Sequence, residues 1–213
     1  MFRFARIAVP ALLVVGSVGL LAGFGAGPAP APAPGVVGAD SYKVDPVHSS
    51  VVFRIRHSGV SNFYGRFNEF SGSFQFDPSA KTGGEFSFEV QTESVDTGNG
   101  KRDDHLRNAD FFNSRQFPTI SFASTGLEHV EGDMYRLTGD LTLQGETRAV
   151  TAELEWLGTG TGPTGAAIAG FEARFEVKRS DFGMTKYLAP DNSDNGGLGN
   201  TVTLIVSVEA VKG

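Results

Sequence analysis

The feature that most narrows the fold is a two-residue period in hydrophobicity that returns eight times after residue 42. Val51, Phe53, Ile55 and His57 fall on one side of an extended segment; Arg54, Arg56 and Ser58 fall on the other. Successive side chains of a strand point to opposite faces, so a segment of this kind has one face to hide and one to wet. Phe63, Gly65 and Phe67 alternate in one phase, and Phe70, Gly72, Phe74 and Phe76 in the other. That flip predicts a bulge-like bend at Asn68-Glu69. The pattern returns at Phe86–Thr92, Ile120–Ser124, Tyr135–Leu143, Val150–Trp156, Ala169–Arg179 and Val202–Ala210. Glu131-Gly132-Asp133 and Gly145-Glu146 supply tight turns between neighbours.

Eight strands with one apolar face each can pack as two sheets or close on themselves. Long strands with a bend near the middle favour closure, which predicts an all-β, eight-stranded antiparallel barrel. A barrel of that size is wide enough to be filled by side chains or to hold one small ligand. Two connections are too long for turns, 95–117 after the third strand and 180–200 after the seventh. Lys101 to Asn108 is helix-compatible with Asn99 as its cap, and the second connection, rich in Gly, Asn and Asp, reads as a mobile loop. In an up-and-down order both connections leave from the same rim. The inward rows of the first and seventh strands end there in His57 and Arg179, and that of the third in Thr92 or Ser94. The expected layout is an apolar interior under a polar, cationic rim with two covers, which suits an amphiphile held tail inward. Phe53, Ile55, Phe74, Phe76, Phe86, Phe88, Phe122, Leu141, Trp156, Phe171 and Phe175 are the expected lining. His57, Lys101, Arg102, His105 and Arg179 are the expected head-group residues. The plainer reading of the same residues is core packing for the rings, and for Arg179 a solvated position or a pairing with Asp181.

The first 39 residues are of another kind. Arg3 and Arg6 precede an uncharged apolar run from Ile7 to Phe24, the pattern of an export signal. The run is 18 residues long, about the minimum for a spanning helix, so a retained anchor that tethers the domain to a membrane is the other outcome. Phe24 stands where a lipoprotein signal needs its acylated Cys. Residues 1–27 are thus expected to be a signal or anchor, 28–41 a stiff Pro/Ala-rich linker and 42–213 the barrel. Periplasmic or secreted localisation follows from that reading. Without the two Arg of residues 1–39, 16 basic residues face 24 acidic ones, a net charge of −8.

Several function classes are disfavoured. With no Cys there is no disulfide framework, thiolate zinc site or cysteine nucleophile. An acidic chain lacks the basic face of a nucleic-acid binder. The His residues at 48, 57, 105 and 129 have no paired-ligand spacing, so neither metal nor cofactor is expected. Asp191, Ser193, Asn195 and Gly196 mimic half of a calcium loop, but Val202 stands where its bidentate Glu belongs. No GxSxG turn is present. An enzyme acting on a lipid-like substrate is the alternative, with His57, His105 and Asp103 or Asp104 as its acid–base set.

Ordered motifs then carry a resemblance. They are Val44-Asp45-Pro46-Val47-His48-Ser49-Ser50-Val51-Val52-Phe53, Gly65-Arg66-Phe67-Asn68-Glu69-Phe70-Ser71-Gly72, Asp96-Thr97-Gly98-Asn99 through Leu106, and Ala109-Asp110-Phe111-Phe112. Phe117 through Phe122, Gly139-Asp140-Leu141-Thr142, Gly145-Glu146-Thr147 and Arg179-Ser180-Asp181-Phe182-Gly183 extend them. Over about residues 42–211 the chain resembles the YceI-like proteins. The resemblance implies a lipocalin-like barrel, exported in bacteria, that holds a polyisoprenoid or another long-chain amphiphile. It carries no catalytic residue, and it adds a homodimer to the expectations.

Overall fold

The computed structural model describes residues 39–213 apart from Thr82. The expected export segment, and the linker up to residue 38, lie outside the described residues.

The strands form one closed antiparallel barrel of eight staves, three of them broken in two. The first stave is β1 (Asp40–Val44) and β2 (Ser50–His57). The second is β3 (Ser61–Phe67) and β4 (Phe70–Phe76), and the third β5 (Glu85–Gln91) and β6 (Val95–Asp96). Five unbroken staves follow: β7 (Thr119–Glu131), β8 (Met134–Leu143), β9 (Glu146–Thr161), β10 (Ala167–Lys178) and β11 (Leu198–Lys212). Closure is made by β11, which pairs with β2 along Leu198–Ser207 and with β1 along Ala210–Lys212.

Each break has a local cause. In the first stave Pro46 removes a ladder donor, and Asp45 turns the chain by accepting the Val47 N–H at 2.9 Å. Ser49 Oγ donates to the Glu209 carbonyl and accepts from the Glu209 N–H, while Asp45 N–H also donates to that carbonyl. His48 Nδ1 lies 2.8 Å from Asp45 and 3.7 Å from Glu209. The hydrogen bond to His48 holds the Asp45 carboxyl below its usual range, and the same bond raises the imidazole. Asp45, His48 and Glu209 bring three metal-type donors within 4.8 Å of one another, and in this structure they clamp the broken stave onto β11. At Asn68-Glu69 the inward row changes phase as expected, so that Phe67 and Phe70 both pack inside. In the third stave a 3-10 turn (Thr92–Ser94) diverts the chain. Thr92, fully buried, donates its hydroxyl to the carbonyls of Phe117 and Pro118.

The interior is filled at one end only. Tyr42, Phe74 and Phe86 stack, with centroids 5.0 and 5.5 Å apart and planes within 18° of parallel. Trp156 meets Phe76 edge-on at 4.7 Å, Tyr135 meets it at 5.1 Å and Phe171 meets Phe74 at 5.3 Å. Such offset and edge-to-face pairs add to the burial of the rings themselves. The expectation that Phe74, Phe76, Phe86 and Trp156 line a cavity is therefore corrected. They lie where strands reach the closed end, and rings from six staves meet there with Leu154 and leave a solid floor.

Candidate ligand cavity

Above the floor the barrel is hollow, with a cavity of about 500 Å³. That lies within the roughly 300–1,000 Å³ of small-molecule sites. Glycines explain why rings do not fill this half as well. Phe53 lies opposite Gly65, Phe88 opposite Gly72, and Phe122 beside Gly139. A Cβ at Gly65 would lie 2.3 Å from the Phe53 ring; at Gly72 it would lie 2.6 Å from Phe88, and at Gly139 2.4 Å from Phe122. Each ring occupies the space above the neighbouring stave's glycine and lies along the wall, not across the lumen. The glycine and phenylalanine in the composition are thus partners.

Of the expected lining, Phe53, Ile55, Phe88, Phe122, Leu141, Phe171 and Phe175 are on the cavity wall. Phe63, Phe67, Leu106, Phe111, Phe112, Met184 and Tyr187 also line it. Phe67 and Phe63 could have been placed from their inward row. Phe111 and Phe112 come from the first cover, where an aromatic doublet after a polar helix was the available signal. They are tucked inward by tight turns in which the Phe111 N–H donates to Asn108 and the Phe112 N–H to Leu106.

That helix, α1 (Gly100–Arg107), forms where expected, and Asn99 caps it by accepting the Arg102 N–H. Arg102 donates to the hydroxyl and carbonyl of Thr97, both at 2.7 Å, and its guanidinium lies 4.3 Å above the Phe63 ring. Of the expected head-group residues, His57, Arg102 and His105 are on the cavity wall. Lys101 is not; it projects to solvent from α1.

The second cover is bonded throughout, in contrast to the mobile loop expected there. Ser58 N–H donates to Gly197, Leu198 N–H to Tyr187, Asn200 to Asn192, and Thr201 N–H to the Asp194 carboxylate. Arg179 anchors it. Neither solvated nor paired with Asp181, this side chain is only 2% exposed and donates to the carbonyls of Gly199, Met184 and Leu198 at 2.8, 2.8 and 3.1 Å. Burial lowers its pKa. One carboxylate joins the covers: Asp110 lies 3.1 Å from both His105 Nε2 of the first and Lys186 Nζ of the second. Those contacts hold Asp110 below the usual carboxylate range.

The charged residues on the wall are Arg102 and Arg179, accompanied by His57 and His105; no Asp or Glu lies on it among the described residues. The acid–base set of the enzyme alternative does not assemble as expected. Asp103 accepts from the N–H and hydroxyl of Thr97, Asp104 pairs with Arg107, and His105 faces Asp110 instead. A sealed floor, an apolar lumen and a bridged, cationic mouth make a barrel binding protein.

Known proteins agree with this geometry. The YceI-like domain family matches residues 42–210. Protein YceI of Salmonella arizonae is 42% identical over 176 residues, which is 82% of this chain and 88% of that protein. Among solved structures, BcnA of Burkholderia cenocepacia superposes with a TM-score of 0.69 at 23% identity, covering 78% of this chain and 99% of that one. The YCEI protein of Campylobacter jejuni gives 0.64 at 27%, covering 72% and 87%. A polyisoprenoid binding domain from Saccharophagus degradans shares the fold at 14% identity, with a TM-score of 0.56 and coverage of 81% and 98%. A barrel closed at one end, hollow at the other and built from these ordered motifs belongs to the YceI-like family.

Proposed function

We propose that this protein is an exported carrier or store for a long-chain amphiphile of the polyisoprenoid type, with the tail in the lumen and the head group at the mouth. The observation that carries the proposal is the wall itself, an apolar cavity of about 500 Å³ with no acidic side chain on it among the described residues. Each buried methylene contributes about 0.8 kcal/mol, so a branched hydrocarbon tail binds firmly without any directed polar contact. The Saccharophagus degradans domain described as polyisoprenoid binding supports the ligand class through the shared fold. Arg102, His57 and His105 face the head group, and a hydrogen-bond acceptor or an anion fits them best. Arg179 adds positive charge on the wall while its donors hold the second cover. Residues 1–27 direct export to the periplasm or beyond, and retained uncleaved they hold the domain at a membrane.

The test is to purify the protein without detergent, extract it with organic solvent, and identify the extract by mass spectrometry beside native spectra of the protein. A near-stoichiometric long-chain lipid is the expected result. A protein that stays empty and takes up no isoprenoid amphiphile when challenged overturns the proposal.

A further inference from the structure

The two ends of the barrel differ in charge as well as in packing. At the closed end the turns and strand ends carry Asp77, Glu131, Asp133 and Glu155 against Lys81, none of them in an ion pair among the described residues. Around the mouth, Arg56, Lys101 and Arg102 likewise have no carboxylate partner among the described residues. The nearby acids of the first cover are engaged, Asp103 by Thr97, Asp104 by Arg107 and Asp110 by Lys186 and His105, whereas Asp181 and Asp191 of the second cover are exposed and have no cation partner among the described residues. A chain of net charge −6 therefore sets three unpaired cations around the mouth, while the closed-end turns carry four unpaired acids against Lys81.

The same face presents apolar tips. Val60, in the turn between β2 and β3, is 84% exposed, although its neighbour Ser58 lines the cavity. Tyr187 is 53% exposed at the mouth and held at φ 62°, a left-handed conformation that a side chain of this size rarely adopts. Exposed aliphatic and tyrosyl groups beside unpaired Lys and Arg are the chemistry of a surface that meets lipid head groups.

We infer that the mouth face, with Val60 and Tyr187 as its apolar contacts and Arg56, Lys101 and Arg102 as its cations, docks onto an anionic phospholipid bilayer. This inference rests on the lumen being a lipid cavity. A long-tailed amphiphile pays a large hydrophobic penalty in water; docking mouth-down lets the tail pass between bilayer and lumen without crossing it. The acidic closed end points away from such a surface.

The cysteine-free sequence makes the test direct. In the full chain, a single cysteine is introduced as Val60→Cys or, at the closed end, as Thr164→Cys, and labelled with an environment-sensitive dye. Vesicles of phosphatidylcholine with phosphatidylglycerol should blue-shift the dye at 60 and leave that at 164 unchanged. Reversing one charge with Lys101→Glu should raise the lipid needed for half of the shift by roughly 30-fold, from about 1 kcal/mol per cation near an anionic surface. A dye at 60 that stays in water, equal shifts at both positions, or no effect of Lys101→Glu overturns the docking. Uptake of an isoprenoid amphiphile from detergent micelles is measured on the same samples. Proteins that load from micelles while the dye at 60 stays unshifted refute docking alone, whereas proteins that never load refute the lipid cavity, and the docking with it.

Discussion

The closed and open halves of this barrel are built from the same residue types yet do opposite things. Below, Phe meets Phe across the lumen, and Phe74 and Phe86 stack on paired positions of β4 and β5. Above, Phe meets Gly, and the rings of Phe53, Phe88 and Phe122 lie on the wall over Gly65, Gly72 and Gly139. What a phenylalanine contributes is thus decided by its cross-strand neighbour. Ring on ring stabilises the fold; ring on glycine keeps a hole open.

The largest effect should come from breaking the floor. Phe74 touches Tyr42, Phe86, Trp156 and Phe171, and Phe74→Ala leaves a cavity that costs about 3–5 kcal/mol. Thermal or denaturant unfolding measures it, and the fraction that stays folded should load ligand as before. A loss below about 1 kcal/mol would mean the floor is loosely packed.

The reverse change belongs to the open half. At Gly65 the three atoms nearest an added Cβ all belong to the Phe53 ring, so Gly65→Ala turns that ring into the lumen. Overpacking of this kind costs roughly 1–3 kcal/mol of stability. Displacing two or more methylenes of bound tail weakens binding by about tenfold or more. Titration of a labelled isoprenoid amphiphile reads this out, and unchanged affinity would show that the ring and the tail never compete.

The smallest effect should come from outside both halves, at the clamp of Asp45 and His48 over the first stave's break. His48 titrates above its ordinary 6.5, so its contribution is complete below that pH and is lost as pH rises through the folded value. Asp45 titrates below its ordinary 3.8, so its contribution is present above that pH and is lost as pH falls through the folded value. Stability measured from pH 4 to 8 should thus fall slightly on the alkaline side, and His48→Ala should remove that slope. An identical slope in the variant would assign it to other groups.

Much of this architecture was legible in the sequence. The eight alternating rows gave the strands, the flip at Asn68-Glu69 gave a bend, and Asn99 gave the helix start. Alternation reports which side of a strand a residue faces, but not how deep along the barrel it lies. Phe74 and Phe88 look alike in period, yet one is floor and the other wall. Depth follows from the up-and-down order: Phe76 ends β4 and Phe86 opens β5, which puts both at the end opposite the mouth. The same reasoning that placed His57 at the rim would have placed them on the floor. Arg179 was hidden for another reason. Its partners are three backbone carbonyls, and main-chain acceptors leave no trace in side-chain pattern. The clamp of Asp45 and His48 onto Glu209 spans about 160 residues, too far for local spacing to reveal.

The central claim is that a hollow half stands on a solid one, and binding as a function of tail length tests it most directly. Prenyl amphiphiles with one head group and successively longer tails are titrated into lipid-free protein, and Kd is plotted against length. Affinity should rise steeply, by up to about fourfold for each methylene buried, and then level off once the tail reaches the aromatic floor. An affinity independent of tail length, or one that climbs without a break, would contradict the account.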